Sequence, residues 1–210
     1  EACSIPLEIV VDEPKGSAEE LAQVTDVLGS FTTSYKTSGS SRSANVANGC
    51  SLINGTTLYP GEEFSTYKTV SPFSVANGYY MAGSYVSGKV VDSLGGGICQ
   101  VSSTLYYSAL MADLQIVLRY AHMFDPGYMP VTGCDATVSW GGPDFAFRNS
   151  TDYPIKITTS YNDETNQLTI TLLGTKTDDN YVEMTNQFLS YSERKTVYQE
   201  SERIAPGTTE

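Results

Sequence analysis

Cys99 follows three consecutive glycines, Gly95, Gly96 and Gly97, and stands at the head of an apolar, helix-patterned stretch. Glycine has no Cβ and reaches φ > 0 freely, so such a loop lets a ligand or another segment approach the backbone closely. In the first turn of a helix, the unpaired amides and the positive end of the dipole favour a thiolate. The same amides can stabilise the oxyanion that forms when sulfur attacks a carbonyl. A sulfur nucleophile also needs a base, and His122 is the only histidine in the sequence. A carboxylate must then hold the imidazole in the correct tautomer. Asp135, opening the strand-like "DATVSW", is the best placed. Asp125 in "FDPGY" is the rival, although that setting suits a carboxylate bonded to turn backbone. The plainer alternative makes Cys99 a small buried hydrophobe, His122 a core or surface residue and the glycines a packed corner.

Bulk composition narrows the setting. Twelve basic against 24 acidic residues give a formal net charge of −12, which speaks against nucleic acid as a partner, because phosphate binding needs a basic face. No apolar run approaches the ~20 residues of a membrane helix. The chain opens on "EACSIPLEIVVDEP" without a signal-peptide pattern and ends on "RIAPGTTE". The expectation is a piece of a longer protein whose secretion signal or membrane anchor lies outside it. The four cysteines, Cys3, Cys50, Cys99 and Cys134, form no CxxC pair, so neither a metal site nor a cofactor is expected.

The elements that must position these groups follow from pattern. "GSAEELAQVTDVLGSF" reads as a short acidic helix, with Ser17 as N-cap and Glu20 closing a capping box. A Ser-rich loop leads to a helical turn or two over 42–52, and Pro60-Gly61 marks a turn between strand-like stretches. "YYMAGSYVSGKVVDS" resembles a hairpin about Ser87-Gly88. From Cys99 to about Leu114, Val101, Leu105, Ala109 and Leu110 repeat at helical spacing. Strand-like "LQIVLRYAHMF", "DATVSW" and "DFAFRN" follow, and then a hairpin formed by "YPIKITTSYN" and "QLTITLLGTK". This order predicts an α+β fold: an antiparallel sheet with one buried central helix and small N-terminal helices. Asn54 and Asn149 head sequons that read here as turn residues.

The stretches "INGTTLYPGEEFS", "GYYMAGSYVSGKVVDSLGGGICQVSSTLYYSALMADLQIVLRYAHMF" and "DATVSWGGPDFAFRNSTDYPIKI" resemble the VanW family of bacterial cell-envelope proteins. The most specific motif is "GGGICQVSSTLY". The resemblance covers roughly residues 25–176, after a lead-in over 1–24. Residues 177–210 are expected to be a linker and the start of a G5-like module, to which "KTVYQESERIAPGTTE" is similar. The resemblance implies a peptidoglycan setting and a secreted or anchored protein of a Gram-positive bacterium. It places the family's characteristic cysteine, histidine and aspartate on Cys99, His122 and Asp135. Ala121 and Met123 depart from it, since relatives carry a polar residue before the histidine and a serine after it. A looser similarity, in the order of roles alone, links the chain to papain-like and transglutaminase-like folds. Gln100 follows the cysteine here, whereas papain-like enzymes carry their oxyanion glutamine before it, so Gln100 is a helix-cap or substrate contact.

The expected function is a thiol-dependent amide hydrolase or acyl transferase acting on cell-wall peptides, with Cys99, His122 and Asp135 as catalytic residues. Gly96, Gly97, Gln100, Tyr85 and Arg119 are the expected substrate contacts. Arg119 and Arg148 are the cations available to a peptide carboxylate. In an exported protein, Cys50 and Cys134 are the favoured disulfide pair, leaving Cys99 free. The contrasting expectation is a non-catalytic peptidoglycan-binding module, stacking ligand on Tyr79, Tyr80, Tyr85, Tyr106 and Tyr107, or a scaffold for neighbouring domains.

Overall fold

The computed structural model describes residues 15–86 and 89–190, with the backbone alone for Tyr85, Val86 and Lys89. The expected G5-like start falls largely outside these residues.

The largest sheet has four antiparallel strands in the order β1 (Asp26–Ser34), β9 (Gln167–Gly174), β8 (Ile155–Asn162) and β2 (Thr57–Leu58). Along β9, Leu168, Ile170 and Leu172 alternate inward and are fully buried, as are Ile155 and Ile157 of β8. That period of two gives the sheet one apolar face. Helix α4 (Ile98–Met111) lies on β1 and β9, while α2 (Ser40–Ile53) packs on β8 and on α4. Val101, Leu105 and Ala109 form the apolar stripe of α4, with Leu114 just beyond its end. Val101 and Leu105, fully buried, each contribute about 1.5–3 kcal/mol. Polar pins fix the rotation of α4 on the sheet: Thr104 shares a 2.8 Å hydrogen bond with Thr33, and Ser108 donates to the Ile170 carbonyl at 2.9 Å.

Two smaller sheets complete the α+β architecture. Strands β3 (Glu63–Ser65), β7 (Ala146–Arg148) and β6 (Gln115–Leu118) form one, and the hairpin β4 (Met81–Val86) with β5 (Lys89–Leu94) forms the other. The short helix α3 (Thr66–Val70) continues directly from β3. The expected hairpins at β4–β5 and β8–β9, and the turn at Pro60-Gly61, are all present.

Several expectations are corrected. The helix α1 (Ala18–Ala22) has the capping box of Ser17 and Glu20, but it stops after five residues. The segment behind it, rich in β-branched residues, becomes β1 and pairs with β9 in register Phe31↔Ile170. The helical turn or two over 42–52 is a 14-residue helix, α2. "DATVSW" joins no sheet, and "LQIVLRYAHMF" is a strand only over Gln115–Leu118. The Cys50–Cys134 disulfide is not formed: Cys50 is sealed in the core side of α2, and Cys134 is a free thiol in a loop. Asn149 is a buried turn residue donating to the Leu58 and Tyr153 carbonyls.

The glycine loop packs closely against β4. Gly95 and Gly97 have φ of 81° and 109°, and a Cβ on Gly96 would lie 2.4 Å from the Ala82 carbonyl oxygen. Backbone cannot yield there as a flexible side chain would. Gly96→Ala is therefore expected to lower stability by about 2 kcal/mol or more. Gly55→Ala, where φ is 82° but the space is open, should cost about 1 kcal/mol. Urea unfolding of the two variants checks the order; equal losses would mean that close packing at Gly96 is unimportant.

Candidate active site

Gly97 is the N-cap of α4 and Cys99 is its second helical residue, where amides and dipole favour negative charge on sulfur. The loop before it is clamped by Asn45, which is fully buried. Its Nδ2 donates to the Tyr80 and Gly96 carbonyls at 3.0 and 2.9 Å, and its Oδ1 accepts from the Tyr80 amide at 2.8 Å. One side chain of α2 thus ties the start of β4 to the glycines and fixes the entry angle of α4.

The irregular segment over 134–140 is held against α4 by hydroxyls. Ser102 and Ser103 donate to the Ala136 carbonyl at 2.6 and 3.2 Å, and the Ala136 amide donates back to Ser103 at 3.0 Å. The Thr137 amide donates to the Tyr120 carbonyl at 2.8 Å. These bonds replace the ladder that a strand would have provided, and they bring Asp135 to His122 and the Val138 carbonyl to Cys99. The Cys99 thiol donates to the Val138 carbonyl at 3.3 Å.

Asp135 is 4% exposed, and its carboxylate is enclosed by donors. Oδ2 accepts from the His122 amide at 2.7 Å and from Nδ1 of the imidazole at 2.6 Å. Oδ1 accepts from Arg119 at 3.1 Å. Since an ionised carboxylate only accepts, Nδ1 carries the proton and the lone pair of the neutral ring sits on Nε2. Arg119 itself is fixed by donation to the Asp135 and Gly133 carbonyls and by the Tyr106 ring 5.2 Å below it. Burial works against protonation of His122, but the Cys99 sulfur and the Asp135 carboxylate outweigh it and raise its pKa. The sulfur therefore has two hydrogen-bonding neighbours, the Val138 carbonyl and the imidazole.

A cavity of about 540 Å3 opens over the sulfur, a size suited to a small organic or peptide ligand. Phe73, Leu94, Ile98 and Val138 line it apolarly, Arg42, Gln100, His122 and Thr137 supply polar groups, and Trp140 stands 67% exposed at its rim.

The residues singled out in the sequence are thus distributed as follows. Cys99, His122 and Asp135 are brought together, and Gly97 and Gln100 line the same cavity. Gly96 lies behind the wall, packed on β4. Gln100 is buried, with Nε2 donating to Thr33 Oγ1 and to the Ser34 carbonyl. Arg119 is committed to Asp135, and Arg148 pairs with Glu63 away from the cavity. The Tyr85 side chain lies outside the described residues. Asp125 accepts from the Gly127 amide at 3.0 Å, as a turn aspartate does. Tyr79 and Tyr107 are core residues and Tyr106 supports Arg119, while Tyr80 is exposed.

The family described as VanW like protein matches residues 41–173. The chain belongs to this family. The VanW-like chain is 43% identical over 145 residues to the uncharacterized protein YoaR of Bacillus subtilis, covering 69% of this chain and 48% of that protein. It is 33% identical over 116 residues to the vancomycin B-type resistance protein VanW of Enterococcus faecalis, covering 53% and 42%. It therefore spans about half the length of the curated relatives it matches. No solved structure matches it.

Sequence reasoning about the VanW-like chain missed Asn45, Ser102, Ser103 and the holding role of Arg119. The adjacent serines on an otherwise buried helix were the one available signal, since a buried hydroxyl must find a partner.

The raised pKa of His122 sets a pH dependence with a definite sign. Stability contributed by His122 is fully present below its unfolded value of about 6.5 and is lost as pH rises through the higher folded value. The stability difference between the VanW-like chain and its His122→Gln variant should therefore be larger at about pH 5.5 than at about pH 8.5. Denaturant unfolding at both pH values measures it; a difference that grows with pH would contradict the Asp135–imidazole assignment.

Proposed function

We propose that the chain is part of a thiol enzyme that acts on amide bonds of cell-wall peptides outside the membrane of a Gram-positive bacterium. The observation that carries this reading is the joining of Cys99, His122 and Asp135 at one cavity, with the imidazole fixed by a 2.6 Å bond to the carboxylate. His122 Nε2 takes the thiol proton, and the sulfur bonds to the substrate carbonyl carbon. The first-turn amides of α4 face the oxyanion that develops. Collapse breaks the carbon–nitrogen bond, and the imidazolium returns its proton to the departing amine. Water or a second amine then cleaves the thioester, giving hydrolysis or transfer. Asp135 orients the ring, and Arg119 holds Asp135.

Family membership supports the envelope setting, since a relative bears the name of a vancomycin resistance protein. Peptidoglycan or its peptides are then the partner, with any membrane anchor in other parts of the protein and the start of a G5-like module within residues 177–210. The order cysteine at a helix start, histidine, aspartate is that of papain-like and transglutaminase-like enzymes, and the comparison rests on roles and not on a shared fold. One observation favours a non-catalytic wall-binding module instead: the exposed Trp140 at the cavity rim would stack on a ligand without any chemistry.

Alkylation separates the two. Burial pushes the Cys50 thiol up to about 12 and raises that of Cys134, so iodoacetamide near neutral pH should label Cys99 before either. His122→Ala should slow labelling of Cys99 by about 100-fold, and Asp135→Asn by about tenfold. Peptide mapping by mass spectrometry reads the rates. A Cys99 that reacts no faster than Cys134, or that ignores His122→Ala, favours the binding module.

A further inference from the structure

The oxyanion of the proposed reaction needs donors, and the first turn of α4 has already committed most of its own. The Ile98 amide donates to the Gly95 carbonyl at 3.1 Å and the Gln100 amide to the Gly97 carbonyl at 2.9 Å. Among the described residues, the Cys99 amide makes no such bond and is left over. A second donor aimed at the developing charge then has to come from the cavity wall.

The hydroxyl groups on that wall differ in availability. Ser84 and Ser93 bond each other at 2.8 Å, Ser139 Oγ lies against Gly142, and Thr137 Oγ1 is shut off from solvent. Tyr128 is different. It is half-buried and lines both the Cys99 cavity and an adjoining one of about 640 Å3. Among the described residues its hydroxyl meets only Ser103 Oγ, at 3.4 Å, well beyond the about 2.7–2.8 Å of a good O–H···O bond. Ser103 places its own proton on the Ala136 carbonyl and accepts from the Ala136 amide, so toward Tyr128 it can only accept. The phenol is a donor with a weak partner.

Ser103 also fixes where that donor is. It follows Cys99 by four residues on α4, which puts the two on one face with Cβ atoms about 5–6 Å apart. Helical side chains lean toward the N-terminus, so a hydroxyl resting on Ser103 lies near the turn that carries the sulfur. Burial raises the Tyr128 pKa, and the charge of the nearby Cys99 sulfur raises it further. The phenol therefore keeps its proton across the neutral range.

We infer that Tyr128 is a catalytic residue whose hydroxyl, with the Cys99 amide, donates to the oxyanion formed when sulfur adds to the substrate carbonyl. The inference rests on the thiol reading above. As the sulfur–carbon bond forms, the carbonyl π pair moves onto oxygen, and Tyr128 turns its proton from Ser103 toward that oxygen without giving it up. Collapse returns the pair to the carbonyl, and the departing amine takes its proton from the His122 imidazolium.

Two electrophiles separate this role from a structural one. Acetyl transfer from p-nitrophenyl acetate to Cys99 passes through an oxyanion; alkylation by iodoacetamide displaces iodide at a saturated carbon and does not. In Tyr128→Phe, the burst of p-nitrophenolate, with that of Cys99→Ala subtracted, should be about 100-fold slower, while iodoacetamide labels Cys99 within about twofold of the native rate. Acetylation at the native rate would overturn the inference and leave the thiol reading standing. So would an equal loss with both electrophiles, because Tyr128 would then support the site and not the oxyanion. A native Cys99 that iodoacetamide labels no faster than Cys134 sinks the thiol reading and this inference with it.

Discussion

A carboxylate buried in a protein has to be compensated where it stands, or it will take up a proton and lose its charge. Asp135 is the group on which this structure imposes that condition. Its donors are the amide and ring of His122 and the guanidinium of Arg119, and each is committed by the same requirement. The imidazole cannot turn without leaving Oδ2 short of a donor, and Arg119 cannot leave without stranding Oδ1. The tautomer of His122, and with it the availability of Nε2 to the sulfur, follows from this enclosure.

Around that charge the fold supplies two rigid supports. The four-stranded sheet carries α4 through a dry stripe of aliphatic residues, and the first turn of α4 is set by glycines that permit close backbone packing. Ser102 and Ser103 then hold the Asp135 segment to the same helix. The Cys99 thiol, the Asp135 carboxylate and the loop bearing the imidazole are therefore referred to one element. That economy lets irregular backbone hold a geometry usually given by strands.

What was legible in the sequence divides along local and long-range physics. Cys99 at a helix start could be read because glycines, apolar spacing and the helix lie within a few residues of one another. The β8–β9 hairpin was readable from its alternation. Strand β1 was not, since only Gly29 and Thr33 are buried along it and the capping box at Ser17 announced a helix that ends early. His122 and Asp135 were found as residue types, but their expected strands are loops held by side-chain hydroxyls, which have no periodicity to detect. Asn45 and Arg119 act through bonds to distant backbone; nothing in "SRSANVANG" or "VLRYAH" records those partners.

The coupling of sulfur, imidazole and carboxylate can be observed without substrate, because the chain has a single histidine. A nitrogen-15 NMR titration of His122 in the native chain and in Cys99→Ala tests it most directly. The account predicts a neutral ring protonated at Nδ1, a pKa above the ordinary histidine value, and a fall of that pKa when the sulfur is removed. A neutral ring protonated at Nε2, or a pKa indifferent to Cys99→Ala, would contradict it.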